Sequence, residues 1–286
     1  MIPVALEIQR IDDDEFALFQ KLVAAETGIQ LGENKKSLLV GRLMRRLREL
    51  GCSSFAAYFE RVETEEEEKG VLLDLVSTNE TRFFRESNQF AFLEQNVYPV
   101  WQAQGRGRIR VWSAGCSTGE EAFSIAMSLL SHFPDGAIDI LATDLSRRAL
   151  AAATSATWPI SRAADIPDHY LKAFMLRGVG SNNGFLQATP ELRSLVSFAH
   201  FNLHTGDYSS IGTFDLLFCR NVLIYFSAES KGPVVQKLLA HTAEDGFFLL
   251  GQAETLNGIT RDAFYAGNSI YTRNPSNASR PTLTSN

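Results

Sequence analysis

The feature that most constrains this chain lies between residues 108 and 155, where apolar β-type runs alternate with amphipathic helical ones. RIRVWSA and AIDILATD read as strands, while EEAFSIAMSLLSHF and SRRALAAATSA read as helices. Strand and helix alternating at this spacing imply βαβ units and hence a parallel sheet. VSFAHFNL, FDLLFCRN and GFFLLGQ supply three more short apolar runs, each ending in a polar or glycine-containing turn. The expected class is therefore α/β, with a doubly wound, Rossmann-like sheet. In open sheets of this kind the ligand lies outside the carboxyl ends of the strands. Those ends are SAGCSTGE, TD, NL, CRN and GQAE, so chemistry is to be sought there.

The remaining sequence arranges itself around that sheet. Residues 1–76 carry no strand signal. DDDEFALFQKLVAAETG places Phe16, Phe19, Leu22 and Val23 on one helical face, with Gly28 as a stop. NKKSLLVGRLMRRLRELG gathers Leu39, Val40, Leu43, Met44, Leu47 and Leu50 on one side. Lys35, Arg42, Arg45, Arg46 and Arg48 fall on the other, with no acid from Lys35 to Arg48. SSFAAYFERV, the acid run Glu65–Glu68 and VLLDLVS complete an all-helical N-terminal domain. Residues 77–273 hold the sheet. Within them, 158–200 breaks the alternation with three prolines and a Gly/Asn-rich turn, and reads as a small inserted β-subdomain. Residues 274–286 are polar and expected to be disordered.

Composition excludes several classes. A net charge of −6 argues against a general nucleic-acid binder. No stretch approaches the ~18 uninterrupted apolar residues of a membrane helix. MIPVALEIQRIDDDEF lacks a basic segment followed by an apolar core, so no signal peptide is expected. Cys52, Cys116 and Cys219 are odd in number and widely spaced, which fits reduced thiols in the cytoplasm better than disulfides or zinc. The histidines show no ligand spacing, and no metal is expected.

The turn at 113–119 discriminates between ligands. A dinucleotide fingerprint needs GxGxxG, whose second glycine admits a pyrophosphate. Here Gly115 and Gly119 give GxxxG, followed at once by Glu120 and Glu121. Two carboxylates suit a helix N-terminus but would repel a pyrophosphate. They tolerate a ligand carrying an ammonium or sulfonium cation. Asp144, closing ILATD, sits where an acid commonly grips ribose hydroxyls. The turn thus favours S-adenosylmethionine (SAM) over NAD, and a NAD-dependent dehydrogenase becomes the weaker reading. Glu120 and Glu121 also have a plain role open to them, as helix caps.

STNETRFFRESNQFAFL (77–93), VWSAGCSTGEEAFSIAM, ILATDLS, FNL, FDLLFCRNVLIYF and GFFLLGQAETL follow one another in fixed order. This set resembles the CheR-type chemotaxis receptor methyltransferases, which use SAM to methylate glutamate side chains of chemoreceptors. The likeness runs from KSLLVGRLMRRLREL to GQAETL. It implies an N-terminal helical receptor-docking domain on a Rossmann-like SAM-binding domain, with a small β-subdomain inserted. It implies SAM contacts at Asn79, Thr81 and Arg85 in TNETRFFRE, at Gly115 and Glu121 in the turn, and at Asp144. Further contacts fall on Asn202 and Leu203 in FNL and on Arg220 and Asn221 in CRN, with Tyr225 near the transferred methyl. The product would be S-adenosylhomocysteine (SAH).

Partners follow from the same resemblance. The basic face Lys35, Arg42, Arg45, Arg46 and Arg48 would meet glutamate-rich cytoplasmic helices of membrane chemoreceptors. FMLRGVGSNNGFL, with Gly178, Gly180 and Gly184, resembles the subdomain turn of relatives that bind a C-terminal receptor pentapeptide, which could add as an edge strand. A solvated charged face and an unpartnered hairpin are the plain alternatives. Arg82 and GQAET depart from the family pattern, which often has a smaller residue and GHSEN there. A monomer is expected, without nucleic acid or membrane insertion. A glutamate acceptor is already ionised, its pKa being about 4.3, so no strong base is required. Arg85 and Tyr225 are the catalytic candidates, Arg85 because a guanidinium binds a carboxylate bidentately. A CheR-like module that binds without turnover is the third reading. Intact Asn79, Thr81, Arg85, Asp144, Arg220 and Asn221 argue against it.

Overall fold

The structure, a computed structural model, describes residues 10–278. The first nine residues of the stretch read for a signal peptide, and positions 279–286 of the expected disordered tail, lie outside the described residues.

The chain begins with the helices α1 (Asp13–Thr27), α2 (Lys36–Leu50), α3 (Phe55–Thr64) and α4 (Glu66–Val76). A capping box starts α1: Asp12 accepts the Glu15 N–H while the Glu15 carboxylate accepts the Asp12 N–H. Gly28 ends α1 in the left-handed region, φ 71°. Phe16, Phe19, Val23, Leu39, Leu43, Leu47, Tyr58 and Leu72 bury together as the core of this layer. The first turn of α4 takes the acids Glu66, Glu67 and Glu68, which suit its positive dipole end.

The basic residues of α2 are engaged to different degrees. Arg46 forks onto Glu68 at 2.9 and 2.6 Å, and Glu68, itself buried, also accepts the Tyr58 hydroxyl at 2.8 Å. The Arg46 guanidinium holds the Glu68 carboxyl below its usual range. Arg42 donates to the carbonyls of Leu75 (2.6 Å) and Ser77 (2.9 Å). Both arginines are therefore used to fasten α2 to α4. A helical wheel misses this because the acid lies on another helix. Arg45 and Arg48 remain exposed.

α5 (Ser87–Phe92) and α6 (Tyr98–Ala103), joined by a π-turn at Leu93–Val97, lead into the sheet. The alternation then runs β1 (Arg108–Ala114), α7 (Glu120–His132), β2 (Ala137–Asp144) and α8 (Arg147–Ser155). The inserted elements are β3 (Thr157–Pro159), α9 (Asp168–Phe174), β4 (Met175–Arg177), β5 (Phe185–Ala188) and α10 (Pro190–Ser194). The main sheet resumes with β6 (Val196–His200), β7 (Phe214–Cys219), α11 (Ala228–Ala240) and β8 (Thr242–Leu250). β9 (Phe264–Gly267) and β10 (Ile270–Thr272) close it.

Seven strands form the large sheet in the order β6-β2-β1-β7-β8-β10-β9. The first five are parallel, and β10 and β9 add an antiparallel edge. The strand order reverses beside β1, the switch point where open sheets bind ligands. The insertion is a separate antiparallel sheet, β3-β5-β4. Its expected span of 158–200 needs correction, because Val196–His200 pairs with β2 and belongs to the large sheet. The short strand β3 starts one residue earlier than expected, at Thr157. Residues 274–278, expected in the tail, include a short turn at Pro275–Asn277.

Leu43 is fully buried between α2 and its neighbours. Leu43→Ala should therefore lower unfolding free energy by about 2–5 kcal/mol in urea denaturation, from lost burial plus the cavity left behind.

Candidate active site

Backbone strain marks where the site is built. Ser117, Asn221, Phe84 and Glu86 all adopt positive φ without being glycine. They lie in or beside three segments that meet at the carboxyl ends of the parallel strands. Gly115, at φ 91°, leaves β1 so tightly that a Cβ would lie 2.4 Å from Val222 Cγ2. Only glycine fits there.

Those segments line a solvent-open cleft. Every cofactor or catalytic residue nominated from sequence lines it: Asn79, Thr81, Arg85, Gly115, Glu121, Asp144, Asn202, Leu203, Arg220, Asn221 and Tyr225. Lys35, nominated for a partner, lines the same cleft. Arg42, Arg45, Arg46 and Arg48 do not. Gly178, Gly180 and Gly184 lie in the β4–β5 turn, where a Cβ on Gly178 would meet the Asn182 carbonyl oxygen at 1.9 Å. That glycine keeps the turn closed.

The acids after the turn take different roles. Glu120 accepts the Thr118 hydroxyl at 2.6 Å, lies 4.0 Å from the Arg162 guanidinium and does not line the cleft. Glu121 faces the cleft and is held at both oxygens, by Ser113 Oγ and by Arg220 Nε, each at 2.7 Å. Asp144 accepts the N–H groups of Ser117 and Ser146, each at 2.8 Å. Burial pushes its carboxyl above the usual range, and these N–H bonds oppose the shift.

Arg220 ties the site together. Its side chain is 1% exposed and also donates to the Arg85 carbonyl (2.6 Å) and to Gln89 Oε1 (3.1 Å). Gln89, fully buried, in turn donates to the carbonyls of Leu250 and Asn268. Glu254 of GQAET accepts the N–H groups of Asn221 (2.7 Å), Gly251 (2.7 Å) and Ile224 (3.1 Å), fixing the CRNVLIYF turn. Gln89 and Glu254 were missed in the sequence, which carries no spacing signal for a hydrogen bond between distant segments. Asn202 also proves to be a brace: it donates to the Glu26 carbonyl at 2.8 Å and accepts from His204 and Thr205.

These groups fit SAM. Asn79 Oδ1 and Ser117 Oγ are buried without a hydrogen-bond partner in the protein, as expected of atoms reserved for a polar ligand. Glu121, its charge shared with Arg220, and Asp144 are the carboxylates lining the cleft that could meet the cofactor. Cys116 is buried, and its thiol is pushed well above the usual range by burial, which removes it as a nucleophile. Among the described residues no cluster of acids, histidines or cysteines could hold a metal.

Fold and cleft together define the class, a SAM-dependent methyltransferase. The chain belongs to the CheR methyltransferase family. Residues 14–77 match the family's all-alpha domain and residues 79–270 its SAM-binding domain. It is 35% identical over 260 residues to chemotaxis protein methyltransferase 2 of Pseudomonas aeruginosa, covering 90% of this chain and 92% of the relative. It is 31% identical over 265 residues to the chemotaxis protein methyltransferase of Escherichia coli, covering 91% of each. For the corresponding Salmonella typhimurium protein the identity is 30%, over 91% of this chain and 90% of the relative. Among the described residues no helix is long and apolar enough to cross a membrane.

Asp144→Ala strips an acceptor from a buried polar rim. It should weaken SAH binding by about tenfold or more in calorimetry, the scale of one lost buried hydrogen-bonding partner.

Proposed function

We propose that this methyltransferase esterifies glutamate side chains on the cytoplasmic helices of chemoreceptors, tuning chemotactic adaptation. The observation that carries the reading is the composition of the cleft. Two of its three acids, Glu121 and Asp144, are already held by Arg220, Ser113 and backbone N–H groups, and the third, Glu80, is exposed. Arg85 and Lys35 have no acid within ion-pair distance among the described residues. Two cations without an ion-pair partner thus stand in the cleft against one exposed acid, a balance that suits a carboxylate acceptor. The names of the relatives above point to the same process.

The chemistry asks little of the protein beyond placement. SAM supplies a methyl activated by its sulfonium: as the oxygen–carbon bond forms the sulfur–carbon bond breaks, its electron pair stays on sulfur, and no proton moves. The protein must bring the acceptor carboxylate out of water and aim it. Arg85 Nη1 donates to the Glu80 carbonyl at 3.1 Å, which steadies the guanidinium at the cleft edge. Tyr225 forms a wall of the same edge. Burial pushes its phenol above the usual range, and nearby Glu80 acts in the same direction while Arg85 opposes it. The hydroxyl therefore stays protonated at neutral pH and acts as a donor, not as a base. Domain roles follow: residues 1–76 dock the receptor and 77–273 bind the cofactor. The β3-β5-β4 sheet offers an edge at β4 to a receptor C-terminal pentapeptide.

Incubation with methyl-labelled SAM and receptor membranes should give label released as methanol in mild alkali. Label stable to alkali would refute ester formation. Arg85→Ala should lower that transfer more than about tenfold, the scale of a lost charge-assisted bond in the transition state, with the unfolding midpoint retained. Transfer should also fall as salt rises, through screening of the exposed Arg45 and Arg48.

A further inference from the structure

The helical domain contributes a group to the cleft that neither its packing nor its surface role explains. Lys35 ends the short turn Glu33–Lys35 ahead of α2, and its Nζ lies 4.3 Å from the centroid of the Tyr225 ring. Of the basic residues that follow it, Lys36 is engaged with Asp13, Arg42 with two carbonyls, Arg45 with Glu49, and Arg46 with Glu68 and Glu49. Lys35 is partly buried and has no acid within ion-pair distance among the described residues. A half-buried ammonium without a counter-charge is costly, and a ring face repays only part of that cost. Burial and the nearby Arg42 both push its pKa below the usual lysine range.

The position is held by backbone, not left to chance. Gln30 N donates to the Tyr225 carbonyl at 2.8 Å, Ser227 N donates to the Gly28 carbonyl at 3.0 Å, and Ile29 bridges Phe226. The segment before Lys35 is thus joined through a single β-bridge to the turn that carries Tyr225.

We propose that Lys35 is a substrate-orienting residue, the second cation that with Arg85 receives the acceptor carboxylate beside the Tyr225 ring. The proposal rests on the glutamate reading above and deepens it: the acceptor site is completed only when the helical domain is docked. An ammonium beside the acceptor favours its ionised, nucleophilic form, and in a partly desolvated cleft that attraction exceeds its value in water.

The test compares wild type, Lys35→Gln and Lys35→Arg, using methyl-labelled SAM and a chemoreceptor cytoplasmic fragment bearing its methylation-site glutamates. Lys35→Gln should lower kcat/KM for the fragment about tenfold or more, with SAH affinity by calorimetry and the unfolding midpoint at wild-type values. Lys35→Arg should stay within about threefold of wild type, because it keeps the charge. Wild-type kcat/KM in Lys35→Gln overturns the assignment. So does an equal loss in Lys35→Arg, or a matching loss of SAH affinity. Absence of alkali-labile label with the wild-type protein overturns the glutamate reading and the assignment with it, and is seen before any variant is compared.

Discussion

The buried guanidinium of Arg220 is the contact on which the site depends. It stands at the carboxyl end of β7 and reaches in three directions: to Glu121 at the start of α7, to the Arg85 carbonyl, and to Gln89 on α5. One side chain therefore fixes Glu121, the segment bearing Arg85 and the approach of α5 to the sheet. Phe90 and Phe218 pack their rings about 5.6 Å from it, which excludes water and strengthens each of these bonds. A lysine would supply charge there without the planar fork that reaches three partners at once.

Around that hub the loops are strained and then clamped. Asn221 and Glu86 hold positive φ, each at a cost of order 1–3 kcal/mol where no glycine relieves it. Glu254 offsets the first by accepting three backbone N–H groups from its own turn and from the Asn221–Ile224 segment. Glu86 Oε1 in turn accepts the Gln252 N–H at 3.1 Å. The carboxylates at 86 and 254 thus serve the backbone, whereas those at 121 and 144 line the cleft. Glu254 is the acid that GQAET shares with GHSEN. Its work is structural.

Much of this was legible in the sequence because period and turn chemistry are local. The alternation from 108 to 155 fixed β1, α7, β2 and α8, and the small-residue turn and the acid ending β2 marked the ligand end of the sheet. The resemblance then brought Asn79, Arg220 and Tyr225 to the same place. β9 and β10 were not seen, since four and three residues are too few to show a period. The fates of Arg42 and Arg46 were equally hidden, because Glu68 and the end of α4 meet them only in three dimensions. Lys35 was sorted with the arginines by sign alone. Its separation from them depends on the bridge between Ile29 and Phe226, which no helical wheel represents.

The inserted sheet has a consequence of its own. The Trp158 indole N–H donates to the Thr118 carbonyl at 3.1 Å, inside the tight turn after β1, and Arg162 Nη1 donates to the Thr81 carbonyl at 3.3 Å. Phe83 meets Trp158 edge-on at 5.0 Å, and Phe84 stacks on Tyr170 at the same distance. The appendage is therefore bolted to two walls of the reaction chamber. The inserted sheet is thereby fixed in orientation to the cleft, so any segment bound on it would lie at a set bearing from the strand ends.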